Sequence, residues 1–470
     1  VHRGAEAGFG LEAVAFADGT RWDAATLKDR VNDAPVWVQP LEDQHALEET
    51  PFRFTLPVEA CSDPDAGDRL AYSATLADGS ALPAWLGFDP ATRTFAGTPG
   101  NEDLGPYAIR VRATDLAGAR AFADFRLDVP RSPDRALVGT AEPERLVGGT
   151  GHDTLSGEAG DDGLEAGAGN DHLSGGAGAD LLRAGSGEDA LHFFADARWS
   201  ARYRALHAGS PGAPGPGQSI PIQGKGRSHD VFDGGEGFDT LIGTDRAEAI
   251  FLDDAFSPSL RGGPRLSGIE RIIPGAGDDV VGLTSETYAY GSVSIEGGEG
   301  RDTLWAASGD DGLEGGPGND ALSGGAGDDT LVGGAGEDRL EGGPGSDLYL
   351  FGRGHGRDRL FEQDATAGPT DTVRLLPGIA PEALWFRRSG HDLEVRLLGA
   401  RDRLLIEDWY RGAEHRVERF ETAHGRVLLE SQVDQLVQAM AAFAPPSMSQ
   451  GTLPPQYQQA LEPVIAANWQ

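Results

Sequence analysis

The chain has 470 residues, 69 of them glycine, and a formal net charge of −36. That surplus of acid argues against nucleic acid and anionic membrane surfaces as partners and favours cations. The single cysteine, Cys61, excludes an intramolecular disulfide, and no apolar run approaches the length of a membrane span.

The first residues, VHRGAEAGFG, lack the basic and apolar regions of a secretory signal. LEAVAFADGTRWDAATLKDRV (11–31) aligns without gaps on VERFETAHGRVLLESQVDQLV (417–437), with Glu12 on Glu418, Gly19 on Gly425 and Val31 on Val437. Segment 1–31 is therefore expected to repeat a C-terminal element, as in a piece of a longer, repetitive parent. Residues 34–130 alternate in short runs, FRFTLPV (52–58), YAIRVRATD (107–115) and ADFRLDV (123–129), separated by turn signals such as SDPDAGD. That pattern predicts a β-sandwich. NDAPV (32–36), SDPDAGDRLAYSATLADG (62–79) and LPAWLGFDPATRTFAGTP (82–99) resemble the cadherin-like immunoglobulin-fold modules of bacterial surface proteins. The resemblance makes Asp33, Glu49, Asp63, Asp65 and Asp115 candidate interdomain Ca²⁺ ligands, with solvated loop acids as the alternative. Cys61 is expected to be a small, half-buried side chain, since no base is near it.

From 139 the sequence falls into nines. Asp153, Asp162, Asp171, Asp180 and Asp189 are nine apart, and Leu155, Leu164, Leu173, Leu182 and Leu191 follow each by two. The unit GTAEPERLV (139–147) keeps Leu146 in phase but carries Glu144 in place of aspartate, as a degenerate end coil would. A second array, 297–350, places Asp302, Asp311, Asp320, Asp329, Asp338 and Asp347 in phase with Leu304, Leu313, Leu322, Leu331, Leu340 and Tyr349. A flexible glycine linker has no reason to keep phase. Six residues of glycine and aspartate make a tight turn, and three with one central apolar side chain make a short strand. Two such units close one coil of a right-handed parallel β-solenoid, so turns on one edge lie 18 residues apart.

One inward leucine per nine residues stabilises less than the ordering of nine backbones costs. Residues 297–350 also hold 12 acidic and two basic side chains. A divalent cation between neighbouring turns removes that repulsion, and carboxylates with backbone carbonyls are hard donors that suit Ca²⁺. No Cys/His cluster offers a zinc site.

The lines closely resemble GGxGxDxUx, the nonapeptide of the RTX (repeats in toxin) family, whose known form is a Ca²⁺-binding β-helix. The resemblance implies one ion between each pair of turns 18 apart. The pairs are 153/171, 171/189 and 162/180 in the first array, and 302/320, 320/338, 311/329 and 329/347 in the second, about seven ions in all. It further implies carbonyl ligation by Gly149, Gly151, Gly160, Gly167, Gly169, Gly176 and Gly178 in the first array. In the second array the corresponding residues are Gly298, Gly300, Gly316, Gly318, Gly325, Gly327, Gly334, Gly336, Gly343 and Gly345. Glu158 and Ala307 depart from the pattern at its second glycine.

Residues 193–296 interrupt the arrays. SPGAPGPGQS (210–219) is expected to be a mobile loop. GGEGFDTLI (234–242) and PGAGDDVVG (274–282) return in phase, making Asp239 and Asp279 weaker metal candidates, with ordinary turns as the alternative. From 351 to 444 apolar content rises: TVRLLPGI, ALWFRRSGHDLEVRLL and DRLLIEDWY read as strands, with a hairpin turn at 389–392. SQVDQLVQAMAAFA (431–444) reads as an amphipathic helix opened by Ser431 and Asp434. The segment resembles the haemolysin-type calcium-binding-associated domain that follows RTX arrays, and it can cap the open solenoid end. The tail, 445–470, ends QYQQALEPVIAANWQ, which resembles an uncleaved type I export signal and is equally compatible with a docked helix.

The expected architecture is all-β. It comprises an Ig-like sandwich (34–130), two Ca²⁺-stabilised parallel β-roll arrays (139–192 and 297–350), and a mainly β capping domain (351–444) with a terminal helix. There is no HExxH, GxSxG or GxxxxGK[ST], and no carboxylate pair in an isolated setting. His152, His172 and His192 fall at different repeat positions and are expected apart, in solvent. Catalytic residues are accordingly expected to be none. The reading is a secreted calcium-binding protein, exported by type I machinery, that folds on Ca²⁺ outside the cell. Its parent would be a surface adhesin or haemolysin-like toxin engaging a host or neighbouring cell. The alternative is the carrier tail of a secreted hydrolase.

Overall fold

The computed structural model describes residues 13–23, 26, 31–47, 50–65, 67–100, 103–130, 133–195, 197–198, 202–204, 219–221, 225–227, 229–252, 263–285, 287–363, 368, 370–447 and 449–470. Glu49 and the loop expected at 210–219, apart from Ser219, lie outside the described residues. The chain forms two compact units, Val1–Pro133 and Asp134–Gln470.

In the first unit a four-stranded sheet (Gln44–His45, Arg120–Val129, Gly105–Thr114, Ala71–Leu76) shares a core with a three-stranded one (Phe52–Thr55, Thr94–Gly97, Leu86–Asp89). The long hairpin 105–129 pairs Ile109 with Phe125 and Val111 with Ala123. Its alternation turns Ile109, Val111, Phe125 and Leu127 inward, onto Phe95 of the other sheet. Phe125 meets Phe54 and Phe95 edge to face at 5.4 and 5.5 Å.

The same unit holds a separate hairpin, Ala13–Ala15 with Arg21–Asp23. It reproduces, in register, the hairpin Arg419–Thr422 with Val427–Leu429 of the second unit. Val14 faces Trp22 as Phe420 faces Leu428. The turns match too: Phe16 N–H donates to Thr20 O, and Thr422 N–H to Arg426 O, at 2.8 and 2.9 Å. Gly19 and Gly425 both take the left-handed conformation, φ +86° and +80°. Over 13–23 and 419–429 the gapless alignment thus corresponds to one shared local structure.

The second unit is a parallel β-solenoid. One face is a thirteen-stranded sheet running from Ala136–Val138 to Val427–Leu429; the other is built from a five-stranded and a nine-stranded sheet. The strands of the two arrays pair 18 residues apart, Leu155 with Leu173 and Leu313 with Leu331. Every in-phase apolar residue from Leu155 to Tyr349 lies in one core, at most 2% exposed. Segment 193–296 does not break the thirteen-stranded sheet: Leu191 pairs with Leu241, Leu241 with Ile272, and Ile272 with Ile295. The two arrays are joined into one solenoid because the in-phase strands on either side of the extra residues pair with one another directly.

Glycine periodicity has a second cause besides turn conformation. Coils stack at strand spacing, and the turn backbones touch. At Gly318, whose φ is not left-handed, a Cβ would sit 1.5 Å from the Gly300 carbonyl oxygen. At Gly327, φ is +139° and a Cβ would lie 2.1 Å from the Gly309 oxygen. Where the pattern departs, Glu158 is held at φ +74°.

Beyond residue 351 the two faces continue through Arg357–Leu360 and Thr372–Leu375, then turn antiparallel at Leu384–Ser389/Asp392–Leu397 and Arg419–Thr422/Val427–Leu429. The first of these turns lies at the expected 389–392 position. The helix Glu430–Ala441 begins directly from the strand ending at Leu429, so its first turn is closed by Gln432, whose Oε1 accepts the Leu429 N–H at 3.1 Å, and not by Ser431 and Asp434. A second helix, Pro455–Asn468, buries Leu461 and Ile465, and Trp469 follows it into the same core. No described helix is long and apolar enough to cross a membrane.

Two alanine substitutions separate the glycine roles. Gly390 is at φ +69° with nothing within 4 Å of a Cβ, so Gly390→Ala should cost only the left-handed penalty of roughly 1–2 kcal/mol. Gly327→Ala must also push two coils apart and should cost clearly more, as read by chemical denaturation of the two variants side by side.

Candidate metal centre

Each nonapeptide turn of the two arrays ends on an aspartate two residues before a buried apolar side chain. The eleven in-phase aspartates are all at most 3% exposed. Their Oδ1 atoms form a ladder, each accepting the backbone N–H of the equivalent residue one coil earlier, which is an acid except at Arg135 (to Asp153) and Val293 (to Asp311), both at 2.7 Å. Asp171 accepts from Asp153 at 2.6 Å, Asp189 from Asp171 at 2.7 Å, and Asp180 from Asp162 at 2.7 Å. In the second array Asp320 accepts from Asp302, Asp329 from Asp311, Asp338 from Asp320 and Asp347 from Asp329, at 2.8–2.9 Å. Alternate units therefore share an edge, in the expected 18-residue pairs.

The ladder is longer than the repeat pattern. Asp239 and Asp279, the weaker candidates, are full members: Asp239 accepts from Asp189 at 2.9 Å, and Asp279 from Glu248 at 2.6 Å. Asp279 N–H passes on to Asp302 at 2.8 Å. Asp230, Asp358 and Asp371, not singled out in the sequence, accept from Asp180, Asp338 and Asp347 at 3.0, 3.3 and 2.9 Å. The turns of Asp230 and Asp371 lack the glycine signature, whereas that of Asp358 keeps its second and fourth glycines, Gly354 and Gly356. What they retain is an acid two positions before a buried residue, here Phe232, Leu360 and Val373.

The second oxygen is the informative one. Buried Oδ2 atoms of Asp153, Asp162, Asp189, Asp239, Asp279, Asp302, Asp311, Asp320, Asp329, Asp338, Asp347 and Asp358 have no hydrogen-bond partner. Those of Asp153, Asp162, Asp239, Asp302, Asp320, Asp329, Asp338 and Asp347 lie against the bare face of their unit's first glycine. A Cβ on Gly157 would lie 2.5 Å from both Asp162 Oδ2 and the Gly175 carbonyl, and on Gly315 2.5 Å from both Asp320 Oδ2 and the Gly333 carbonyl. Of the glycines named above, the carbonyls of Gly149, Gly151, Gly160, Gly167 and Gly169 face the equivalent glycine of the next coil. So do those of Gly298, Gly300, Gly316, Gly318, Gly325 and Gly327. Buried, unpartnered carboxylate oxygens among stacked carbonyls fit a hard divalent cation such as Ca²⁺.

Burial pushes these carboxyls up. Asp302, Asp311 and Asp239 rise to about 6, and Asp189, Asp279, Asp320 and Asp329 to about 7. Asp347 rises to about 8. Burial is the largest cause in each, opposed by the backbone hydrogen bond and, in most of them, reinforced by neighbouring acids.

Two turns solve the same problem internally. In GTAEPE (139–144) Glu144 folds back to accept the N–H and hydroxyl of Thr140, at 2.6 and 3.0 Å. In GTDRAE (243–248) Glu248 accepts both donors of Thr244 in the same way. The extra methylene lets the carboxylate reach donors of its own turn. Lys225, buried within the interrupting segment, interacts electrostatically with Asp279, Asp278 and Asp302, and burial lowers its pKa.

Other sequence candidates fare differently. His172 and His192 do come together, stacked with centroids 6.2 Å apart, because strands His172–Ser174 and Ala190–His192 are neighbours; His192 is lowered by burial and then by His172. In the first unit Asp63 and Asp65 cluster with Asp68, which the sequence did not single out. Asp33 N–H donates to Asp65 at 2.8 Å, and Asp115 accepts Asn32 at 2.9 Å. The Asp63–Asp65–Asp68 cluster is half-buried, and Asp63 accepts the Asp65 N–H within the turn at 2.8 Å. Cys61 is buried and its thiol is pushed up to about 11, by burial and then by Asp63, as befits an inert side chain.

Family models match two regions. The "Putative Ig domain" model covers residues 34–130. The RTX calcium-binding nonapeptide repeat (4 copies) matches 138–173, 164–191, 226–245, 294–322, 314–349 and 323–357. The iron-regulated protein FrpA of Neisseria meningitidis serogroup C is 30% identical over 93 residues, which are 19% of this chain and 8% of FrpA. Similar solved structures include an endo-fucoidan hydrolase of glycoside hydrolase family 107 (24% identity, 21% of this chain, 14% of that one, TM-score 0.19). Another is the extracellular lipase LipA of Serratia marcescens (14% identity, 59% of this chain, 38% of that one, TM-score 0.17). The chain thus carries an Ig-like domain and calcium-binding RTX repeats in a β-roll.

The raised carboxyls have a pH consequence. In the metal-free fold they hold protons that the unfolded chain releases near pH 4, so metal-free stability is present at low pH and lost as pH rises through about 6–8. Calcium must displace those protons. The calcium midpoint for folding should move to higher concentration between pH 7.5 and 5.5, while chelated protein should keep more β-structure at pH 5 than at pH 7.5, both followed by circular dichroism.

Proposed function

We propose that the acid ladders are calcium sites and that calcium binding folds the solenoid outside the cell. The observation that carries this is the row of buried aspartates whose Oδ2 atoms lack any hydrogen-bond partner. The ligand sets are the 18-residue pairs 153/171, 171/189, 162/180, 302/320, 320/338, 311/329 and 329/347 with the glycine carbonyls beside them, about seven ions. The ladder continuity through Asp239 and Asp279 adds 189/239 and 279/302 to that set. The turns closed by Glu144 and Glu248 are not included, because their carboxylates already have donors.

Calcium supplies the positive charge that makes ionised carboxylates tolerable in these turns. The chain's own residues do the rest. Glycines let the turns stack, Oδ1 atoms set the register, and one apolar side chain per unit fills the core. In low calcium the like charges keep the chain open and fit for export; in millimolar calcium binding energy becomes folding energy. We assign residues 351–444 to closing the solenoid end. The 445–470 tail, whose helix packs into that end once folded, would act as an export signal on the unfolded chain. The duplicated hairpin at 13–23 supports a repetitive parent in which a similar cap precedes the Ig-like domain.

The Ig-like domain beside the repeats favours a surface adhesin or related toxin. The match to FrpA spans 8% of that protein, so its activity does not transfer. A carrier segment of a secreted hydrolase is the second reading, favoured by the β-roll being separable from any chemistry. Sequencing of the gene on either side decides between them.

The folding claim is tested on the purified chain by circular dichroism with excess chelator and with about 5–10 mM calcium, above the affinities of extracellular modules. Strand signal should rise on calcium addition. Asp320→Asn and Asp329→Asn, one on each edge, should each raise the calcium midpoint severalfold. A full strand signal in chelator, or no shift in both variants, rejects the proposal.

A further inference from the structure

Where the last nonapeptide gives way to the cap, three carboxylates from different elements meet. Asp347 closes the turn of the last regular nonapeptide, Glu362 follows the strand Arg357–Leu360, and Asp371 precedes Thr372–Leu375. One oxygen from each lies within 4.8 Å of the other two. They are 1%, 1% and 3% exposed. Neither Glu362 nor Asp371 belongs to a nonapeptide.

The register explains how Glu362 arrives there. Leu340 pairs with Leu360, so Glu362 stands in its coil where Gly342 stands in the preceding one. In the array that position is a bare glycine with an aspartate Oδ2 beside it; at Gly342 the Asp347 Oδ2 lies 1.9 Å from where a Cβ would be. The cap replaces that glycine by an acid whose side chain adds a third carboxylate. The new side chain is held: Tyr349 hydroxyl donates to Glu362 Oε2 at 2.8 Å, and Gln363 N–H to Oε1 at 3.0 Å. Tyr349 oxygen in turn accepts the Gly342 N–H at 2.8 Å. Asp371 is set by the ladder, its Oδ1 accepting the Asp347 N–H at 2.9 Å.

An acid cluster alone does not make a site. Here the Oδ2 of Asp347, itself almost wholly buried, has no hydrogen-bond partner. Three carboxylates at this separation, out of water, require a cation or protons between them. A hydrogen-bonded orienting residue behind a carboxylate ligand is the usual support of a metal site.

We propose that Asp347, Glu362 and Asp371 form a separate divalent-cation site, of calcium type, that joins the cap to the repeat array. It rests on the reading that the array itself binds calcium, and it differs from the array sites in drawing on residues outside the repeats. Three carboxylates give it a higher ligand charge than a two-aspartate array site. It should therefore fill first as calcium is raised, before the array sites.

The test uses the full chain. Calcium bound per chain is counted by equilibrium dialysis for wild type and Glu362→Gln, a change that keeps shape and the Tyr349 hydrogen bond. The expected result is one ion fewer in the variant, lost from the tightest class, with the calcium-loaded dichroism spectrum unchanged. An unchanged count and affinity overturns the site while leaving the array reading intact. A wild type that binds no calcium overturns both. Should Glu362→Gln fail to fold, terbium luminescence excited through tyrosine gives an independent reading. Tyr349→Phe should remove the component that appears at the lowest terbium concentration, and its persistence overturns the site.

Discussion

A carboxylate buried against stacked backbone is tolerated only when a proton, a donor or a cation faces it. The second unit is organised around that constraint. Each coil contributes acids to its edges, and the first oxygen of the carboxylate is used to hold the neighbouring coil by its N–H. The second oxygen is left over. Nothing in the apolar interior, one leucine per strand, offsets that cost, so the stability of the solenoid is tied to what occupies the turns.

The exceptions follow the same logic. Glu144 and Glu248 are one methylene longer and turn back on a threonine of their own loop, which satisfies both oxygens. Lys225 brings a buried positive charge toward Asp279 and Asp302. Both occur next to irregular coils, at the first coil and around the long insertions, where a regular pair of facing turns is missing. The insertions themselves are accommodated because the ladder needs only strands and turn-closing acids in register. Asp189 finds Asp239 across 50 residues as readily as Asp171 finds Asp189 across 18.

At the far end the balance changes. A parallel stack ends in a row of unpaired backbone groups, which must be covered. Antiparallel hairpins and two helices do so, and they bring Trp385, Trp409, Phe386, Phe420 and Trp469 into a core that elsewhere is lined mainly by aliphatic side chains. Here hydrophobic burial takes over from charge compensation. The Ig-like unit uses the same physics, with an aromatic core about Phe95 and Phe125.

Sequence alone determined the repeat period, the inward leucines, the aspartates paired at 18-residue spacing, the sandwich strands and the absence of a disulfide. Each of these is a local rule: side-chain direction alternates along a strand, and a turn of glycine and aspartate recurs wherever its residues recur. Tertiary structure alone decided that the two arrays are one solenoid, that Asp230, Asp358 and Asp371 extend the ladder, that His172 and His192 touch, and that Glu362 meets Asp347. Those depend on which strands become neighbours across connections of unequal length. Loop length carries no period, so the register across an insertion is set by the packing of the coils on each other and is not written in the local pattern.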